Sequence, residues 1–188
     1  MFLRTLSSAV CTGLLATASL APFANAQMSM PMAPAGKAPL SPPATATTTL
    51  AGKTVTVSYS APSLRGRHLG GPEIVPYGEV WRTGANPATT IVLPEGVMIG
   101  KLMVPAGTYT LFTLPTAKEW TLIVSKKTGE WGIPYPEGFD LGRTPMMKKT
   151  IGSPQEVMSI SFEHTSGNKT ELHVKWETTD VWVTVVVM

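Results

Sequence analysis

Polar and apolar residues alternate in short runs along most of the chain, beginning at Lys53. The run TVTVSY at residues 54–59 shows this most clearly, because almost every second side chain is apolar. A period of two places the apolar side chains on one face of a β-strand. Runs of this kind, rich in β-branched and aromatic residues and bounded by Gly, Pro or Asn, predict strands at residues 54–59, 89–93, 97–99, 101–104, 108–114, 120–125, 157–164, 170–178 and 181–187.

The spacing of these runs predicts the fold class. No stretch of ten or more residues shows a convincing period of 3.6, so the sequence predicts no helices. Short strands without intervening helices favour an antiparallel architecture. We therefore predict an all-β domain over residues 53–188: a single antiparallel β-sandwich, or a partly closed barrel, of about 8–10 strands.

A segment without periodicity precedes this domain. Residues 27–52 are dominated by Pro, Ala, Thr and Met and are predicted to be a disordered linker, since they offer little apolar surface to bury. Met28, Met30 and Met32 are spaced closely enough for their thioethers to hold Cu(I), but the same residues are also explained by composition alone. The sequence does not decide between these two interpretations.

The first 26 residues have the pattern of a cleavable secretory signal. Arg4 precedes an uncharged run rich in Leu and Ala, which ends in the small-x-small sequence of residues 24–26. A membrane anchor would need a longer and more strongly apolar run, and Cys11 lies too early in the run for lipid attachment. We therefore expect an exported protein, periplasmic or extracellular, whose mature part begins at Gln27 and has no cysteine, because Cys11 is the only one.

Charge excludes one class of partner. Removing Arg4 with the signal leaves 14 basic residues against 12 acidic ones, a net charge of +2. Nucleic-acid binding would require lysines and arginines clustered on one face, so we expect no nucleic-acid partner. We also expect no transmembrane segment in the mature chain. The sequence does not indicate an oligomeric state.

Residues 60–90 form the segment with the most candidate chemistry. This long, polar connection between predicted strands contains three of the four mature arginines, and binding residues concentrate in such connections. Arginine forks suit carboxylate or phosphate, and aromatic rings offer a flat face to a sugar or ring. The predicted binding residues are Arg65, Arg67, Tyr77, Trp81, Arg82 and Asn86. The alternative is structural: the arginines pair with Glu73 and Glu79, and Trp81 anchors the core.

Enzymatic signals are weaker. His164 and His173 lie on neighbouring predicted strands and could face each other, which ordinary pairing on a β-ribbon also explains, and His68 has no local ligand motif. Ser63 lies near His68 but outside any nucleophile-elbow sequence. We therefore expect no metal and no cofactor, and the catalytic residues of any enzyme remain unknown.

The same segment resembles a known family. The run VPYGEVWRTGAN at residues 75–86 is similar to the signature of the DUF2911 family, as are the shorter matches at residues 61–63, 65–67, 70–71, 88–90, 105–109, 111–113, 120–121 and 131–132. The resemblance extends over residues 53–187 and implies an exported bacterial β-rich domain of unassigned function. The family usually has an acidic residue where this chain has Pro87, so a role for that carboxylate does not transfer. The loop at residues 133–138 also diverges.

Three functional hypotheses follow. The first is a non-catalytic module that binds a small anionic or carbohydrate ligand through residues 63–86. The second is a hydrolase acting on a cell-envelope polymer or a small ester, which would need a carboxylate or histidine activated within a concave site. The third is a purely structural or interaction domain in which Trp81 and Tyr109 are buried.

Overall fold

The computed structural model describes residues 39–188. The signal peptide predicted at residues 1–26, the three closely spaced methionines and the first part of the predicted linker lie outside these residues. The described part of the chain contains strands, turns and loops but no helix, so the all-β prediction is confirmed. In particular, it contains no helix of the length and apolarity needed to cross a membrane.

Nine strands form one antiparallel sheet over residues 39–188, which agrees with the predicted 8–10. In sheet order they run β1-β2-β3-β6-β7-β8-β9-β4-β5, and the sheet is not closed. Their bounds are β1 (Pro43–Leu50), β2 (Lys53–Ser60), β3 (Thr90–Leu93), β4 (Val97–Ile99), β5 (Leu102–Val104), β6 (Gly107–Pro115), β7 (Trp120–Ser125), β8 (Asp140–Ser166) and β9 (Lys169–Val187).

The first strand corrects the predicted linker. Residues 27–52 were expected to be disordered throughout, but β1 pairs with β2 along its whole length, from Pro43 opposite Ser60 to Leu50 opposite Lys53. Both residues of the connecting turn, 51 and 52, have positive φ, as a tight two-residue hairpin turn requires. The strand forms because it pairs with β2 and because Leu50 and Ala46 bring buried apolar surface to the core.

The last two strands are longer than predicted. Residues 140–156 were not predicted to be extended but belong to β8, and the predicted strands 170–178 and 181–187 form one continuous strand, β9. Glu177 has a φ of 52° and lies at an irregularity in the pairing, where Gln155 is its partner. Because such an irregularity lets a strand bend and shift its inward-facing residues, the buried apolar residues lie at even-numbered positions before it and at odd-numbered positions after it.

β8 is the strand that belongs to both halves of the sheet. It pairs first with β7 and then with β9, so the sheet continues from one half into the other. Buried side chains of both halves belong to one hydrophobic cluster, which includes Val57 and Ile91 as well as Met158 and Val174. The two halves therefore share one core, as expected for the predicted sandwich.

Candidate functional site

The connection between β2 and β3, residues 61–89, is fixed at several points although it lacks regular strands. The backbone N–H of Leu64 donates to the carbonyl of Glu156, and the N–H of Met158 donates to the carbonyl of Pro62. Farther along, Trp81 and Thr113 exchange two backbone hydrogen bonds of 2.8 Å each. The connection is therefore attached both to β8 and to β6, and its side chains have defined positions.

Five of the six predicted binding residues line a single pocket at this end of the domain. The pocket has a volume of about 380 Å³, which lies within the usual range for small-molecule sites. The five are Arg65, Arg67, Trp81, Arg82 and Asn86. The crowding of these residue types in the sequence therefore corresponds to convergence in space.

Arg67 holds the connection together. Its Nε, Nη1 and Nη2 donate to the backbone carbonyls of Leu64, Glu73 and Ser63, at 2.9, 3.4 and 3.0 Å. All three guanidinium nitrogens are thus used within the loop. Arg67 contributes positive charge to the pocket, but three of its five N–H donors are used within the loop.

The side chain of Arg65 makes fewer hydrogen bonds than that of Arg67. It has a φ of 53° and is followed by Gly66 at 77°, and the turn is closed by the N–H of Arg67 donating to Leu64. The Nη2 of Arg65 donates to the carbonyl of Leu40 at 2.7 Å. Within residues 39–188, the Nε and Nη1 atoms of Arg65 have no hydrogen-bond partner, so they are available to a ligand.

Arg82 lies against the loop between β7 and β8. Its Nη1 donates to the carbonyl of Trp131 at 3.0 Å, and its guanidinium carbon lies 4.8 Å from the centre of the Trp131 ring. Burial lowers the pKa of Arg82, but an arginine remains cationic in proteins. Gly132 allows the close approach of the two segments, because a Cβ there would lie 2.9 Å from the Cβ of Ala88.

The β7–β8 loop is itself anchored by Tyr135. Its hydroxyl donates to the carboxylate of Asp140, and its ring packs edge-on against Phe112 with 5.0 Å between centroids. Burial, reinforced by the hydrogen bond with Asp140, raises the pKa of Tyr135 to about 12. This anchor holds the segment that carries Trp131 and the pocket residue Ile133.

The predicted ion pairs between these arginines and local carboxylates do not form. Among the described residues, neither Glu73 nor Glu79 makes a salt bridge with Arg65, Arg67 or Arg82. Among residues 39–188, the charged side chains that line the pocket are three arginines and Glu73. These described side chains give the pocket a formal charge of +2.

Trp81 has both of the roles considered from the sequence, since it lines the pocket and packs against the core. Its ring stacks on Trp176 at 5.7 Å between centroids and meets the edge of Trp120 at 6.1 Å. Its indole Nε1 donates to the carbonyl of Gly84 at 2.9 Å. Trp81 is half-buried, so it both anchors the connection to the core and forms part of the pocket wall.

Asn86 connects the pocket to the segment before β1. Its Nδ2 donates to the carbonyl of Ser41 at 3.0 Å. Leu40 and Ser41 both line the pocket, although sequence reasoning assigned them to the linker. Together with the bond between Arg65 and Leu40, this contact makes the start of the described chain one wall of the site.

Tyr77 lies outside the pocket. A Cβ at Gly70 would lie 2.3 Å from the Tyr77 ring, so the ring packs over a backbone position that only glycine leaves open. Gly70 also has a φ of 84°, which side chains rarely tolerate. The sequence analysis predicted that Tyr77 offers a stacking face to a ligand. In the structure its ring instead packs against Gly70 within the connection.

Trp176 is a pocket residue that sequence reasoning did not single out. It lies on β9, far along the chain from residues 60–90, and lines the pocket beside Trp81. Its only local signal is that of an ordinary inward-facing strand residue. Ile133 was missed because it belongs to the loop at residues 133–138, which diverges from the family pattern.

The histidines are placed apart from this pocket. His68 Nδ1 hydrogen-bonds with Glu177 at 2.6 Å rather than with Ser63, so these contacts give no serine–histidine pair. His164 and His173 face each other across the β8–β9 hairpin, as the sequence suggested, with ring centroids 6.1 Å apart. Neither of them lines the pocket.

Carboxylates accompany the two hairpin histidines. The hydrogen bond from His164 lowers the pKa of Glu171, outweighing the opposing effect of burial. Burial alone would raise the pKa of Glu163, but hydrogen bonds from Lys175 and Ser161 are the main causes that lower it to about 2. Both groups are therefore anionic at neutral pH.

The fold and the pocket define an all-β domain with an arginine-lined cavity built on one long connection. The family described as "Protein of unknown function (DUF2911)" matches residues 41–185, and the chain belongs to this family. The resemblance expected from residues 75–86 is thereby confirmed. No curated protein and no solved structure matches the chain.

Proposed function

We propose that this protein is an exported, non-catalytic binding domain whose pocket holds a small organic anion. The observation that carries the proposal is the +2 charge of a pocket of about 380 Å³, lined by three arginines and a single glutamate. Since arginine makes its strongest hydrogen bonds with anionic oxygens, an anion that balances this charge is the ligand best suited to the site. A neutral sugar would leave the imbalance in place.

Two arginines provide the recognition. Arg65 and Arg82 each use one Nη atom on a backbone carbonyl, and this fixes the guanidinium without consuming its other donors. A planar fork held in this way suits a carboxylate or phosphate oxygen pair. Trp81 and Trp176 add apolar surface, which favours an anion carrying a ring or another flat apolar part.

Backbone conformation supports a functional role for the same region. Arg65, Thr83 and Asn86 have φ values between 52° and 58°. Residues other than glycine adopt this region at a cost of about 1–3 kcal/mol each, least for Asn, and such residues concentrate at functional sites. Arg65 and Asn86 line the pocket, and Thr83 lies between the pocket residues Arg82 and Gly84.

The hydrolase alternative has less support. Ser63 lines the pocket, but the nearest histidine in sequence is bonded to Glu177. Within the part of the chain that the structure describes, Glu73 is the one carboxylate that lines the pocket, whereas a glycosidase uses a pair. Binding without catalysis therefore accounts for more of the geometry.

A thermal-shift screen with matched pairs tests the proposal. Each pair consists of an acid and its neutral counterpart: galacturonate and galactose, benzoate and benzamide, glycerol phosphate and glycerol. At 100 times its dissociation constant, a ligand stabilises by about 2.7 kcal/mol. We expect at least one acid to raise Tm while its neutral counterpart does not. If no acid raises Tm, or if the neutral compounds do so equally, the proposal is wrong.

A further inference from the structure

The β8–β9 hairpin brings two histidines and a glutamate together outside the pocket. One ligand atom from each of His164, Glu171 and His173 lies within 4.8 Å of the other two. The Oε2 atom of Glu171 lies between the histidines, 2.7 Å from His164 Nδ1 and 3.3 Å from His173 Nε2. Imidazole nitrogens and a carboxylate oxygen thus converge on one point.

His173 is held in one orientation by its other nitrogen. Its Nδ1 lies 2.7 Å from Oδ1 of Asp180, and both side chains are almost completely buried. The ring also stacks on Trp182 with 5.4 Å between centroids and 9° between planes. Histidines that bind metals are usually fixed in this way, by a carboxylate that accepts the proton of the nitrogen not bound to metal.

With the Nδ1 proton directed to Asp180, the Nε2 lone pair of His173 faces carboxylates. The Oε2 atoms of Glu171 and Glu163 lie 3.3 and 3.9 Å from it. A lone pair opposite two anionic oxygens is repulsive unless a proton or a metal ion lies between them. This position therefore calls for a cation.

The surrounding charges also favour a cation. The cluster includes the carboxylates of Glu163, Glu171 and Asp180 and the ammonium groups of Lys149 and Lys175, all joined by contacts of 3.9 Å or less. With neutral histidines its formal charge is −1. A divalent ion would change the formal charge of the cluster from −1 to +1. Protonating both histidines would change it by the same amount.

The site is open to solvent on one side. The side chain of His164 is 70% exposed, whereas that of His173 is 1% exposed. An ion could therefore enter beside His164 and keep a water ligand. Two imidazoles with a carboxylate suit zinc and similar transition ions rather than calcium or magnesium, which prefer oxygen ligands.

We propose that His164, Glu171 and His173 form a binding site for a divalent transition-metal ion of the zinc type, with Asp180 as the positioning residue for His173. With zinc–ligand distances of ~2.0–2.2 Å, ligand atoms at the corners of a tetrahedron are about 3.4 Å apart. The distance from Glu171 to His173 already agrees with this. The exposed His164 side chain is the ligand that must adjust, since its Nδ1 now lies 2.7 Å from Oε2 of Glu171.

Zinc titration of the untagged protein, followed by calorimetry, tests the site. We expect one Zn²⁺ per chain, and at least tenfold weaker binding in both His164→Ala and Glu171→Gln. Neither change removes a fully buried side chain, and the Tm of each variant in EDTA shows that it is folded. Titration with Co²⁺ should give the visible absorption of a four- or five-coordinate site in the wild type and lose it in both variants.

The matched control is His68→Ala. His68 forms an exposed pair with Glu177 at 2.6 Å, similar to that of His164 with Glu171, but it has no second histidine beside it. This variant should bind Zn²⁺ with the affinity of the wild type. No zinc or cobalt binding by the wild type, or equal weakening by His68→Ala and His164→Ala, would overturn the proposal.

Discussion

Trp81 of the β2–β3 connection stacks on Trp176 of β9, with ring centroids 5.7 Å apart and an interplanar angle of 21°. This contact joins the segment that carries the arginines to β9 and to the hydrophobic core. Trp176 is buried, and its Nε1 donates to the carbonyl of Glu156 at 3.1 Å. The aromatic pair is therefore the structural base of the pocket.

Replacing Trp176 by alanine should strongly destabilise the protein. Truncation of a buried aromatic residue typically costs about 3–5 kcal/mol, because it removes apolar contacts and leaves a cavity. Urea unfolding would measure this loss. Trp131→Ala is the matched control, since Trp131 is 54% exposed and should cost less than about 1 kcal/mol. Equal effects of the two changes would contradict the structural role of the pair.

β1 gives a second test, because the sequence alone indicated a linker there. Leu50 is fully buried, so Leu50→Ala should lower the free energy of unfolding by about 2–5 kcal/mol. Leu40→Ala is its control, as Leu40 is 64% exposed. Denaturation curves that coincide for wild type and Leu50→Ala would mean that this segment does not pack against the domain.

Replacing Arg67 should destabilise the protein more than replacing Arg65, because Arg67 makes more hydrogen bonds within the fold. Arg67→Gln removes most of three hydrogen bonds to carbonyls and should reduce stability by about 2–3 kcal/mol. Arg65→Gln removes one such bond and should cost less than about 1.5 kcal/mol. Chemical denaturation measures both. The assignment of roles fails if Arg65→Gln is the more destabilising change.

Tyr135 should titrate at unusually high pH. Its folded-state pKa is about 12, above the ordinary value of 10, so its stabilising effect is complete below pH 10 and is lost as the pH rises towards 12. Absorbance at 295 nm should show a late step that Tyr135→Phe abolishes. Tyr77→Phe, which alters an exposed tyrosine, should leave that step intact. A late step that persists in Tyr135→Phe would contradict the assignment.

The sequence predicted strands wherever alternation was strong and local. Residues 54–59, 108–114 and 120–125 agree closely with β2, β6 and β7. β1 was missed because its alternating alanines and threonines resemble a low-complexity linker, and only pairing with β2 and burial of Leu50 make it a strand. The first half of β8 was missed because its glycines, prolines and lysines are unfavourable in strands.

Part of the site was predicted because its residues are also close together in the sequence. Arg65, Arg67, Trp81, Arg82 and Asn86 are close in sequence and converge in space, so their clustering could be recognised without the fold. Trp176 and Ser41 reach the pocket only through long-range packing and a backbone contact. Which arginine keeps N–H groups free for a ligand also depends on the positions of backbone carbonyls, and these cannot be read from the sequence.

The most direct measurement is calorimetric titration of the best anion from the screen into wild type, Arg65→Gln and Lys148→Gln. Lys148 lies outside the pocket and donates from Nζ to the carbonyl of Ala117 at 2.6 Å, so its replacement also removes one positive charge and one hydrogen bond to a backbone carbonyl. We predict that Arg65→Gln weakens binding at least tenfold, about 1.4 kcal/mol, and that Lys148→Gln leaves the affinity unchanged. Equal affinities for wild type and Arg65→Gln would contradict anion binding in this pocket.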